Sequence, residues 1–178
     1  MPKTKRSLTP SEYAVLGLLR QQPTYGYELQ RQLGDDSGIG RVCPVEPAMV
    51  YAILKSLARQ GLIAGEWDRG DYPPKAVYEL TPGGHLAFEE WLRLPVSRMR
   101  EMRHDFLVKL YFALFQGREA ARSLTQAQVA ACAEYAREIF ADLEGAAPGS
   151  FDEIVLRSKA SAVVATQDWL DLCLDRLS

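Results

Sequence analysis

The chain has 178 residues, 47% hydrophobic and 25% charged, with a formal net charge of −2, a composition that excludes disordered, collagen-like and disulfide-scaffold classes. No apolar run approaches the roughly 18 residues needed to cross a bilayer, and residues 1–6 lack the apolar core of a secretory signal, so a cytoplasmic protein is expected. Residues 1–93 hold eleven basic and eleven acidic residues, so bulk charge does not point to nucleic acid and any such reading must rest on local arrangement.

Cys43, Cys132 and Cys173 are widely spaced and without a Cys-x-x-Cys pair, which suits reduced thiols rather than a disulfide framework or a zinc site. No cofactor and no metal are expected. The glycine-rich phosphate loop, the dinucleotide fingerprint, Gly-x-Ser-x-Gly and His-Glu-x-x-His are all missing from the sequence. With only two histidines for acid–base work, no catalytic residues and no enzyme are expected.

Thr9-Pro10-Ser11-Glu12 combines an N-cap, a first-turn proline and a glutamate three residues after the cap, which predicts a helix running to about Arg20. Thr24 is expected to cap a second helix ending at Leu33, and residues 38–47, with two glycines and two prolines, read as a loop. A third helix is predicted from Pro47 to Gln60. Its apolar stripe, Val50, Ile53, Leu54 and Leu57, leaves Ala48, Ala52, Lys55 and Arg59 on another face. Ile63 to Trp67 and Ala76 to Leu80, separated by a turn-rich segment, predict a β-hairpin.

Thr81-Pro82 starts a fourth helix to Leu92, and Pro95 marks a boundary between residues 1–94 and 95–178. Beyond it, Arg103 to Phe115 reads as a mostly buried helix. Val129, Cys132, Ala136, Ile139 and Leu143 then form one seam, and Leu156, Ala160, Val163, Gln167, Leu170, Leu174 and Leu177 form another. Between them, residues 145–149 break the chain. The fold expected is mainly α with a small β-hairpin wing: a winged helix-turn-helix, then a helical hairpin with coiled-coil-like packing, whose partner lies in the same chain or in a second copy.

Several segments in order, Glu12 to Leu19, the Pro-x-x-Gly-Tyr-Glu-Leu of Pro23 to Leu29, Val50-Tyr51 with Leu54 and Leu57, Gly61-Leu62-Ile63, Tyr78 to Gly84, Trp91 and Phe106 to Leu110, resemble the PadR-like family of bacterial transcriptional regulators over nearly the whole chain. The resemblance implies a repressor, or less often an activator, that binds double-stranded operator DNA as a homodimer held by C-terminal helices and responds to a small effector. Family members commonly carry Gly-Thr before the recognition-helix tyrosine, where this chain has Ala48-Met49 preceded by Glu46-Pro47.

Residues 1–94 are thus expected to bind DNA and residues 95–178 to dimerise. The DNA-binding residues expected are Ala48, Met49, Tyr51, Lys55 and Arg59 on the third helix, Arg69, Tyr72 and Lys75 at the wing, and Lys5 and Arg6 in an N-terminal basic arm that reads equally as a plain tail. Leu156, Val163, Leu170, Leu174 and Leu177 are the expected dimerisation residues. Trp91, Phe106, Tyr111 and Trp169 are candidates for lining a pocket for a small aromatic effector, against the alternative that they are plain core. The rival to operator binding is a winged-helix module for protein contact, favoured by the weak net charge of residues 1–93 and by Ala48-Met49.

Overall fold

A computed structural model of the chain describes residues 7–68 and 75–178. The chain divides into two compact units, Met1–Arg93 and Leu94–Ser178.

In the first unit, helix α1 (Pro10–Gln21) begins at a complete capping box: the Thr9 hydroxyl accepts from the Glu12 amide while the Glu12 carboxylate accepts from the Thr9 amide. Strand β1 (Thr24–Tyr25) follows, then α2 (Gly26–Gly34), α3 (Gly38–Val42), α4 (Pro47–Arg59), strands β2 (Ile63–Asp68) and β3 (Lys75–Leu80), and α5 (Pro82–Arg93). The sheet is antiparallel in the order β1-β3-β2, with Thr24 opposite Tyr78 on one edge of β3 and Ile63 opposite Leu80 on the other.

Two expectations need correction. Thr24 does not cap the second helix: it pairs with β3, and Tyr25 occupies the N-cap position of α2 without a side-chain cap bond. A β-branched residue and an aromatic one after Pro23 are good strand formers, and β3 offers them a free edge. The supposed loop 38–47 contains α3, formed despite its glycines because tertiary packing outweighs propensity. Ile39 is buried, the Arg41 guanidinium donates to the Asp36 carbonyl, and Gly40 lies so close to the end of α2 that a Cβ there would sit 2.1 Å from the Asp35 carbonyl oxygen.

The second unit holds α6 (Met102–Gln116), preceded by a single 3-10 turn at Met99–Glu101, then α7 (Arg118–Glu144) and α8 (Phe151–Leu177). Helices α7 and α8 pack along their length as a hairpin, with Cys132, Ala136 and Ile139 buried on one and Ala160, Val163 and Leu170 on the other. Ser150 caps α8 by accepting from the Glu153 amide. The segment that opens this unit is fixed to it by polar side chains. Buried Gln128 donates to the Val96 carbonyl and accepts from the Val96 amide, as a neighbouring strand would, and Lys109 donates to the Leu94 carbonyl at 2.8 Å. Among the described residues no helix is long and apolar enough to cross a membrane.

Candidate nucleic-acid interface

Helix α4 is built with two unlike faces. Val50, Ile53, Leu54 and Leu57 are buried, and at 3.6 residues per turn that fixes what the opposite face presents. Ala48, Ala52, Lys55 and Arg59 are all exposed there, flanked by Met49 and Tyr51, which keep 55% and 48% of their surface in water. Exposure on that scale for two large apolar-bodied side chains on one helix marks a surface that monomer folding leaves uncovered. Arg59 Nε lies 3.4 Å from the Lys55 carbonyl, which holds the guanidinium near its own helix.

Tyr51 packs as well as presents. Its ring lies over Gly26, where a Cβ would come within 3.0 Å of Cε1, so a glycine at the start of α2 is what lets that helix approach α4.

The angle of α4 is held from α1. The buried Glu12 carboxylate, besides closing the capping box, accepts from the Ser56 hydroxyl at 3.4 Å, and Gln60 Nε2 donates to Ser56 in turn at 3.2 Å. A second tie fixes the far end. Gly61, at φ +68°, ends α4 in the left-handed region that favours glycine. The Thr81 hydroxyl donates to the Gly61 carbonyl at 2.7 Å and accepts from the Gly84 amide, so one side chain joins the end of α4 to the start of α5. Sequence reasoning had Glu12 and Thr81 as local caps and missed these longer reaches, along with Ser56, Gln60 and Gly26. The available signal was a serine on the α4 flank between the two faces.

At the wing, β2 and β3 pair from Ile63–Leu80 to Asp68–Lys75, and Gly65 lies under the ring of its cross-strand partner Tyr78. Arg69 and Tyr72 at the expected tip, and Lys5 and Arg6 in the expected arm, lie outside the described residues, as does the side chain of Lys75.

The residues expected to dimerise divide into two sets. Val163 and Leu170 are completely buried by their own protomer, so the structure reassigns them to the intrachain hairpin; Leu156, Leu174 and Leu177 are half-buried. The large apolar side chains that α8 exposes are others: Phe151, Ile154, Val164 and Leu172.

The four aromatic residues expected at an effector pocket are each occupied by packing. Trp91 in the first unit stacks on Tyr13 with ring centroids 4.2 Å apart, and in the second unit the fully buried Phe106 meets Trp169 edge-on at 5.6 Å, while Tyr111 contacts Phe112 and Phe115 on its own helix. Such contacts are what core aromatics make. A groove of about 540 Å³ on the α7–α8 hairpin is lined by Phe140, Leu143, Arg157, Ala160, Val164 and Asp168 among others. Among the described residues, no three metal-ligating side chains converge.

Comparison with known proteins bears on the first unit above all. Residues 15–90 match the model of the transcriptional regulator PadR-like family. The chain is 27% identical over 119 residues to the negative transcriptional regulator PadR of Bacillus subtilis (strain 168), covering 66% of this chain and 64% of that relative's length. Among solved structures, Bacillus subtilis PadR in complex with operator DNA aligns over 96% of this chain and 99% of its own, with 23% identity and a TM-score of 0.49. A PadR family regulator from Eggerthella lenta DSM 2243 is 34% identical, over 44% of this chain and 65% of its own, with a TM-score of 0.38. The segment matched by the family model contains both faces of α4, the Thr81 tie at its far end and both strands of the wing; over that segment the chain is similar to the PadR-like family of transcriptional regulators.

Proposed function

We propose that the protein is a DNA-binding transcriptional repressor that acts as a homodimer on a double-stranded operator and has no catalytic activity. One observation carries the reading: within the family segment, α4 buries one stripe completely and turns Tyr51, Lys55 and Arg59 outward with a largely apolar first half. In winged helix-turn-helix proteins a helix so placed enters the major groove while the wing reaches the neighbouring backbone. Lys55 and Arg59 would supply phosphate attraction or guanine contact, with Arg69, Tyr72 and Lys75 on the flanking phosphates or minor groove and Lys5 and Arg6 as a basic arm. The name of the Bacillus subtilis relative favours repression.

Dimerisation belongs to the same reading. The apolar side chains that α8 exposes give residues 95–178 a surface for a second copy, with half-buried Leu156, Leu174 and Leu177 at its margin. A two-fold dimer then sets its recognition helices roughly 34 Å apart, one turn of DNA. The small aromatic effector that family resemblance implies would act by binding two states of the dimer with different affinity; quenching of tryptophan fluorescence accompanied by altered operator affinity tests it.

Equilibrium titration of DNA flanking the protein's own gene, against scrambled DNA at several salt concentrations, tests the function. The expected result is preference for the flanking DNA with a steep salt dependence, and Lys55→Ala or Arg59→Ala should lower the magnitude of the salt slope by about one for each phosphate the variant no longer neutralises. Equal or absent binding to both DNAs overturns the reading in favour of a protein-contact module.

A further inference from the structure

We infer that the first half of α4 reads thymine methyl groups, so that the operator carries thymines under Ala48, Met49 and Ala52. The inference rests on the DNA-binding reading above and adds what the helix recognises.

The outward stripe of α4 changes character along its length. Its first half is Ala48 and Ala52, with Met49 beside them; its second half is Lys55 and Arg59. All five are exposed, and Met49 keeps 55% of its surface in water, so none is committed to the core. In a recognition helix the N-terminal residues are those that contact base edges. Guanine is read by bidentate Arg or Lys and adenine by Asn or Gln, and the first half of this stripe has none of these. Apart from the Tyr51 phenol on its other flank, it offers methyl and thioether surface, whose complement in the major groove is the C5-methyl of thymine.

Two further features favour close apolar contact at this end. Alanine at 48 and 52 keeps the stripe low, which lets the helix backbone approach the base edges. Glu46, exposed at the N-cap position with no side-chain cap bond, puts a negative charge where a phosphate would be repelled, so this end of the helix is better placed over bases than over the sugar–phosphate backbone. The two cations lie one to two turns further along, where they can hold the strand without competing for the same base edges.

Replacing thymine by deoxyuridine removes only the methyl and leaves every hydrogen-bonding edge unchanged. The operator, located by footprinting on DNA flanking the gene, is synthesised with uracil for thymine inside the footprint, and in a control only outside it. Affinity should fall about fourfold for each buried methyl removed, the weight of one methylene-sized group, and should not change in the control. Met49→Ala, a surface substitution that leaves the core intact, should lower the thymine-to-uracil affinity ratio. Equal affinity for thymine and uracil operators, or a ratio unmoved by Met49→Ala, overturns the inference while specific binding to the operator stands. Loss of all preference between operator and scrambled DNA overturns the DNA-binding reading and this inference together.

Discussion

Helices α1 and α8 use apolar sequence in opposite ways. The 12 residues of α1 bury seven, Glu12 and Ala14 to Leu19. The 27 residues of α8 bury three, Ala160, Val163 and Leu170, and leave Phe151, Ile154, Val164 and Leu172 exposed. Burial of an apolar side chain is worth about 1.5–3 kcal/mol, so the first unit has taken that stabilisation within one chain and α8 has left part of it unused. The difference teaches that α1 is satisfied within its own unit, while α8, in the unit proposed to dimerise, carries surplus apolar surface suited to a second copy.

The contrast breaks most severely in the first unit's core. Leu16, fully buried at the centre of α1, should cost about 2–5 kcal/mol when replaced by alanine, read as a shift in the urea midpoint with operator binding lost in parallel. A loss below about 1 kcal/mol would mean that the α1 core collapses around the cavity and is not the rigid platform its burial suggests.

On α8 the expected effect is on assembly. Ile154→Glu combined with Leu172→Glu places charge on exposed positions, so the helical content and unfolding of the protomer should hardly change while the dimer dissociates at least tenfold more readily in light scattering. Leu170→Glu is the counter-case: that side chain is completely enclosed by its own protomer, and a charge there should unfold the hairpin itself. If the double variant stays dimeric, the exposed face of α8 is not where the second copy sits.

A smaller effect separates capping from orientation at Glu12. Glu12→Ala should cost about 1–2 kcal/mol, since it removes half of a capping box and leaves Ser56 without that acceptor. Ser56→Ala removes only the link to α4 and should cost less than about 1 kcal/mol, yet it should still weaken operator binding measurably. Thermal unfolding compared with operator titration gives the answer: if affinity falls only as far as stability does, the carboxylate is a cap and nothing more.

These residues also mark how far the sequence could be read. Capping signals at Thr9, Thr81 and Pro47, and the stripe from Val50 to Leu57, are local in sequence, and helix ends and the exposed face of α4 follow from them. Strand β1 and helix α3 were not legible because each depends on a distant neighbour: Thr24 on Tyr78, and Gly40 on the close approach of the α2 end. The 4-3 seam of α8 was visible, but periodicity cannot say which chain covers it, and the structure gives Val163 and Leu170 to the same protomer. Aromatic density likewise could not tell a pocket from a core. Only the observed pairings of Trp91 with Tyr13 and of Phe106 with Trp169 identify packing rings.

The gentlest way to sharpen the contrast between the units is pH, because the second unit contains a buried lysine. Burial lowers the pKa of Lys109 to about 8, opposed in part by the negative charge of Asp105, while an unfolded lysine titrates near ~10.4. Between those values the unfolded chain binds more protons than the folded one, so stability contributed at this position rises with pH from about 8 to about 10.4 and is flat below that window. Lys109→Met keeps the apolar stem and removes the titration, at the expense of the hydrogen bond to the Leu94 carbonyl. Urea unfolding of the parent and the variant should therefore give stability curves that run parallel near neutral pH and converge or cross as pH rises towards 10, with the parent gaining. Curves that stay parallel throughout would show that Lys109 releases no proton in this window and that the Leu94 carbonyl, with the negative charge of Asp105, holds its ammonium charged inside the fold.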